Sequence, residues 1–142
     1  MTSGEYYLDL FTRYGAQPVW VPVTESDLAS VSDQNNVATI QGCDGVFLGG
    51  GEPWRLARTL RPTSGSGQVD SPVLTAIKTK LAAGGFLGGT SAGIMALSDS
   101  VVISGVRCDV ILIVKTVIIV QVVTAGRLSP MVLVWVMTTP RT

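Results

Sequence analysis

The sequence predicts an α/β fold, a mainly parallel sheet with helices covering both faces. Three observations carry that prediction. Short β-branched runs alternate with stretches of helical periodicity, the helical stretches are punctuated by Pro or a short polar residue in front and Gly behind, and the connections between them are only a few residues long. A chain of 142 residues has room for one domain around one hydrophobic core.

Each element follows from local chemistry. Tyr6, Tyr7, Leu10, Phe11 and Tyr14 recur at helical spacing before Gly15, so residues 4–14 read as an amphipathic helix whose aromatic stripe faces the core. Val19-Trp20-Val21 with Val23, after Pro18, reads as a strand. The Thr24-Glu25-Ser26-Asp27 cluster that follows reads as a capped helix start. Residues 32–41 read as a short helix and Asp44-Gly45-Val46-Phe47-Leu48 as the next buried strand. Gly49-Gly50-Gly51 ends it, and Pro53 suits the first turn of a helix running from Trp54 through Leu60. Thr63-Ser64-Gly65-Ser66-Gly67-Gln68 has the composition of a flexible loop. Ser71 caps a helix that starts with Pro72, runs to Ala83 and is closed by Gly84-Gly85. Phe86-Leu87-Gly88 is then a strand, followed by the helix-compatible Ile94-Met95-Ala96-Leu97.

Composition excludes several function classes. Ten basic residues balance ten acidic ones and charged residues make up 14%, so there is no electrostatic footprint for nucleic acid. The chain has two cysteines and no histidine. Cys43 and Cys108 match no metal or redox spacing, so neither a zinc site nor any cofactor is expected, and two free thiols suit an intracellular protein. The first residues lack a basic start followed by an apolar stretch, so no secretory signal is read and the cytoplasm is the expected location. Low charge favours self-association.

The most informative stretch is Gly89-Thr90-Ser91-Ala92-Gly93, between a strand and a helix. The spacing G-x-S-x-G is that of a nucleophile elbow, in which a serine sits on a sharp strand-to-helix turn and its neighbours lack bulk because other backbone passes close by. Ser91 is the candidate nucleophile, and the Ala92 amide is aimed at a developing oxyanion. In a parallel sheet, active groups gather at the carboxyl ends of the strands. The triple glycine and the serine turn both fall there, so Gly50 and Gly51 amides are candidates for the second oxyanion donor. Read alone, the glycines fit a flexible loop or a phosphate cradle as well, although they lack the Lys-Ser/Thr of a P-loop.

Gly45-Val46-Phe47-Leu48-Gly49-Gly50-Gly51 and Gly84-Gly85-Phe86-Leu87-Gly88-Gly89-Thr90-Ser91-Ala92-Gly93 together resemble the cyanophycinase and aspartyl dipeptidase family of serine peptidases, over roughly residues 5 to 106. The resemblance implies a flavodoxin-like three-layer sandwich related to class I glutamine amidotransferases, with serine where those enzymes place cysteine. It makes Ser91 the nucleophile, with Ala92 and the Gly50 region as oxyanion donors. Glu52 stands where the family commonly has glutamine, and Trp54 follows it, so both are candidate substrate contacts. Set against the family pattern, the resemblance implies a chain shortened at both ends, without the first strand and without the downstream histidine base. A serine without a base is a poor nucleophile, so activity is expected to be weak and biased toward reactive esters. Glu52, Asp99 and Lys78 are the groups that could stand in for the base.

From Val110 the composition changes. Residues 110–123 are almost wholly aliphatic or β-branched, shorter than the about 20 apolar residues of a membrane-spanning helix and interrupted by Lys115 and Gln121. They read as one long strand or two short ones. The chain thus divides into a hydrolase-type domain over 1–109 and an apolar, β-rich tail over 110–142 that packs on the sheet or on a partner subunit, which predicts a homo-oligomer. Read from the third base of each codon, Met131 to Thr138 gives G-x-x-[LMV]-G-x-D, which resembles a stretch the family carries before its histidine. A frameshift near Val110 would account for both the tail and the absent base.

Three functional readings follow. The first is a serine hydrolase that cleaves peptide or ester bonds through an acyl-enzyme on Ser91, with an esterase or lipase acting on short-chain or lipid esters as its close variant. The second is a catalytically inactive, oligomerising remnant of a peptidase. The third places the nucleophile on Cys43 or Cys108, in the amidotransferase manner. The expected partners are a small-molecule, peptide or ester substrate and further copies of the chain, with no nucleic acid and no transmembrane segment.

Overall fold

The computed structural model describes residues 3–97, 101–103, 106–108 and 131–137. In chain order the elements are α1 (Ser3–Arg13), β1 (Val19–Thr24), a 3₁₀ turn (Leu28–Ser32), α2 (Gln34–Gly42), β2 (Gly45–Leu48), α3 (Pro53–Leu60), β3 (Thr63–Ser64), β4 (Gly67–Gln68), α4 (Pro72–Ala82), β5 (Phe86–Gly89), α5 (Ala92–Leu97), β6 (Val101–Ile103), β7 (Val106–Cys108) and β8 (Met131–Met137). The chain is therefore α/β, and β1, β8, β2 and β5 form a short parallel sheet in that order. β3 pairs with β4, and β6 with β7, as separate antiparallel hairpins.

The helix ends are held by local hydrogen bonds. At the end of α1 the Gly15 amide donates to the Thr12 carbonyl (2.9 Å), the Ala16 amide donates to the Phe11 carbonyl (3.0 Å), and Gly15 takes φ 81°. That is a Schellman cap, which calls for glycine at the left-handed position. α4 ends the same way at Gly84 (φ 86°), with Gly84 donating to Leu81 and Gly85 to Lys80. At the front of α2 the Asp33 carboxylate accepts from the Asn35 amide (2.7 Å), and at the front of α4 the Ser71 hydroxyl accepts from the Leu74 amide (3.1 Å).

Alternation along the strands sorts the side chains. Val21 and Val23 of β1 and Val46 and Leu48 of β2 are buried in one cluster with Ile40 of α2, Leu56 and Leu60 of α3, and Val73, Leu74 and Ile77 of α4. Each such aliphatic group removed from water stabilises the fold by about 1.5–3 kcal/mol. Phe47, between Val46 and Leu48, meets the rings of Tyr7 and Phe11 on α1, with centroids 5.3 and 5.0 Å away.

Three expectations need correcting. Tyr6 and Tyr14 do not join the core. They are 50% and 62% exposed, because the covered stripe of α1 is the narrower, half-buried set of Tyr7, Leu10 and Phe11. The stretch after β1 is a 3₁₀ turn in which the Asp27 side chain makes no capping bond, and the true cap is Asp33, six residues on. Residues 63–68 are a hairpin, with Thr63 opposite Gln68, Ser64 opposite Gly67, and Gly65 at φ 60° in the two-residue turn. Glycine at such a position allows the primed turns that close tight hairpins. Of the apolar tail, Met131–Met137 is a strand between β1 and β2, with Val134 opposite both Val21 and Leu48. Residues 110–123 lie outside the described residues.

Candidate active site

Because β1, β8, β2 and β5 are parallel, their carboxyl ends share one edge, and the segments leaving that edge form the candidate site. β2 and β5 are neighbours, with Phe47 opposite Gly88 and Leu48 opposite Gly89. The Thr90 amide donates to the Leu48 carbonyl (3.1 Å), which carries the ladder one residue past β5 to the threshold of Ser91. The triple glycine after β2 and the serine turn after β5 therefore stand side by side.

Ser91 has φ 51°, a positive φ in a residue with a side chain. A non-glycine residue held in this region costs about 1–3 kcal/mol and persists only where its surroundings enforce it. The surroundings are specific. The Gly93 amide donates to the Thr90 carbonyl (2.8 Å) and the Met95 amide to the Ser91 carbonyl (3.1 Å), so the chain turns from strand into α5 within two residues. The turn presses against β2. A Cβ on Gly93 would lie 2.2 Å from the Leu48 carbonyl oxygen and 2.8 Å from that of Gly49, and no side chain fits there. Ser91 itself is exposed.

The glycine turn faces the serine. A Cβ on Gly50 would lie 3.2 Å from Ser91 Cβ and 3.7 Å from its Oγ, so the bare backbone at Gly50 borders the hydroxyl. Gly51 takes φ 146°, a conformation side chains rarely adopt. Ala92 is buried and begins α5. The first amides of a helix have no acceptor within it. Ser91, Ala92, Gly50 and Gly51 are thus brought to one place.

The remaining candidates are distributed differently. Glu52 is exposed and precedes Pro53 at the start of α3, without a capping bond from its side chain. Trp54 is half-buried, with the guanidinium groups of Arg55 and Arg58 over its ring at 5.0 and 5.8 Å. Lys78 is ion-paired with Asp70, which also binds Arg61 at 3.0 Å, so this lysine is committed to the junction of α3 and α4. Asp99 lies outside the described residues. Cys43 is buried just before β2, at the opposite edge of the sheet from Ser91, and its thiol donates to the Ile40 carbonyl. That placement separates Cys43 from the site and removes it as a nucleophile there. Arg55, only 16% exposed at its side chain, pairs with the Glu25 carboxylate at 3.4 Å. Nothing in the local pattern links two residues thirty positions apart.

Comparison with characterised proteins gives a cyanophycinase of Synechococcus elongatus and a cyanophycinase of Thermosynechococcus vestitus. Each is 30% identical over 103 residues, a stretch covering 72% of this chain and 29% of the relative. That similarity supports a distant relation to the cyanophycinase peptidases. The chain accordingly spans under a third of the length of the cyanophycinases it matches. No family model matches the chain, and no solved structure matches it significantly. Among the described residues, no helix is long and apolar enough to cross a membrane.

Proposed function

We propose that the chain is a serine hydrolase of the cyanophycinase type, cleaving peptide or ester bonds through an acyl-enzyme on Ser91. The single observation that supports this reading most is the φ of 51° at an exposed serine wedged against a glycine turn. Strain of this kind concentrates at functional sites, and the strand–turn–helix context is the one a nucleophile elbow requires. The proposed fold is a flavodoxin-like three-layer sandwich, in which the short parallel sheet would form the central layer.

In the proposed reaction Ser91 Oγ attacks the substrate carbonyl carbon, its proton passing to water or to a carboxylate such as Glu52. The carbonyl oxygen becomes an oxyanion that accepts hydrogen bonds from the Ala92 amide and from the Gly50 and Gly51 amides. Collapse expels an amine or alcohol that takes up the proton lost by Ser91, and water then attacks the acyl-enzyme, leaving the acid and returning a proton to Ser91 Oγ. Glu52 and Trp54, flanking Pro53, are the proposed substrate contacts. With no histidine in the chain, the rate rests on the amide cradle and on binding. In triad enzymes stripped of a member, those contributions still amount to about 10³–10⁴ over water. Activated esters, which need least proton transfer, are therefore the substrates of choice. The test compares hydrolysis of short-chain nitrophenyl esters by the parent and by Ser91→Ala. A parental rate well above that of the variant is expected, and equal rates overturn the reading.

The absence of histidine favours one other reading, a non-catalytic remnant that keeps the fold and self-associates. It predicts that Ser91 stays unmodified by fluorophosphonates, since an unactivated hydroxyl does not react.

A further inference from the structure

We propose that the Glu25–Arg55 ion pair positions the glycine turn against Ser91, making Arg55 a positioning residue for the amide cradle. The inference rests on the serine-hydrolase reading for its catalytic consequence, while its geometric part stands on the fold alone. Arg55 is the third residue of α3, and α3 is the helix that the triple glycine feeds. Its guanidinium reaches the loop after β1, where Nη1 lies 3.4 Å from the Glu25 carboxylate, with side-chain exposures of 16% and 34%. The ring of Trp54, from the same helical turn, lies 5.0 Å from the Arg55 guanidinium carbon, a cation–π contact.

The loop that carries Glu25 is hydrogen-bonded on both sides of it. The Asp27 amide donates to Thr24 Oγ1 (3.2 Å), the Thr24 and Ser26 hydroxyls are hydrogen-bonded to each other, and the Thr24 amide donates to Ser30 Oγ (3.3 Å). Glu25 therefore stands on a bracket tied into the 3₁₀ turn. At its far end α3 is tied by Arg61 to Asp70. α3 thus carries an ion pair near each end, beside its core residues Leu56 and Leu60, while the segment at its front is a run of three glycines with no side chains of their own to fix it. Glycine turns are the least self-determined backbone in a fold. Here the turn must stay within contact of Ser91, at 3.2 Å from a Gly50 Cβ to Ser91 Cβ. A partly buried ion pair gains little net stability, so its proposed value is the register it imposes.

The experiment uses the full chain as Glu25→Gln, Arg55→Lys, Arg55→Met and the exchanged pair Glu25→Arg/Arg55→Glu, with Ser91→Ala as reference. Two readouts are taken, the rate and half-saturation of fluorophosphonate labelling at Ser91, and backbone amide exchange over residues 49–52 against α4 as internal control. In Glu25→Gln and Arg55→Met, exchange over 49–52 is expected to accelerate while α4 is unchanged. The limiting labelling rate is expected to fall about tenfold with half-saturation unmoved, the signature of misplaced reacting groups. Arg55→Lys and the exchanged pair recover part of both. Unchanged exchange over 49–52, or a loss that the exchanged pair does not begin to restore, overturns the inference. Accelerated exchange in a protein whose Ser91 never labels supports the positioning role and overturns the hydrolase reading instead.

Discussion

Replacing Gly93 with alanine tests the tight seat of the serine turn. The added Cβ would stand 2.2 Å from the Leu48 carbonyl oxygen and 2.7 Å from its carbon, both backbone atoms of a strand inside the sheet. Real contacts of this kind stay above 3.0 Å, so the start of α5 and β2 must separate by about 0.8 Å, and no rotamer can absorb it. Overpacking of this sort costs about 1–3 kcal/mol. For a chain of this size, each kcal/mol lowers Tm by about 2–4 °C, so a fall of roughly 2–12 °C is expected by calorimetry. A displacement near 1 Å at a reacting group costs on the order of 100-fold in rate, and labelling of Ser91 should fall accordingly. Gly42→Ala is the matched control, because a Cβ there meets nothing within 4 Å. If Gly93→Ala melted and labelled like the parent, the close approach of α5 to β2, and with it the enforced backbone of Ser91, would be refuted.

Other outcomes follow from the same structure. Ser91→Gly removes the strain of a positive φ but adds glycine's chain entropy, so it should melt at or slightly above the parental temperature by calorimetry, and above Ser91→Ala, while losing all labelling. Ser71→Ala deletes the buried cap that accepts from Leu74; a loss of about 1 kcal/mol in denaturant unfolding is expected, with labelling of Ser91 unchanged. Leu48→Ala, at a position with no exposure in the main core, should cost about 2–5 kcal/mol in the same assay. Sequencing the encoding DNA should show an Asp-x-His-like continuation in the shifted frame, starting from the aspartate read across codons 137 and 138, and a frame without it contradicts the frameshift expectation for the tail.

What was legible in the sequence was whatever local chemistry decides. Gly15 and Gly84 announced their helix ends because only glycine takes the left-handed position cheaply, and Pro72 after Ser71 marked a helix start for similar reasons. That the turns after β2 and β5 share the carboxyl edge followed from alternation of strands and helices with short links, whereas the direct pairing of β2 with β5 emerges only in the sheet. The hairpin at 63–68 was hidden, since Gly and Ser serve a tight turn and a flexible loop alike. So were the exposure of Tyr6 and Tyr14, which depends on how much of α1 the sheet can cover, and the Glu25–Arg55 pair, which exists only once the loop after β1 meets α3. Met131–Met137 lies between β1 and β2 through pairings more than eighty residues apart in the chain, which no local pattern encodes. The G-x-S-x-G spacing pointed to Ser91, but the intrusion of the turn onto the Leu48 carbonyl, which explains the last glycine of that spacing, is visible only in three dimensions.

The central claim is that Ser91 is a nucleophile held in an amide cradle. Its most direct test is phosphonylation of the native chain with a fluorophosphonate, read by intact mass and mapped by peptide sequencing beside Ser91→Ala and the urea-unfolded parent. One adduct per chain, located on Ser91, absent from the variant and lost on unfolding, is the predicted result. A native chain that takes up no label, or takes it up equally with Ser91 removed, contradicts the account.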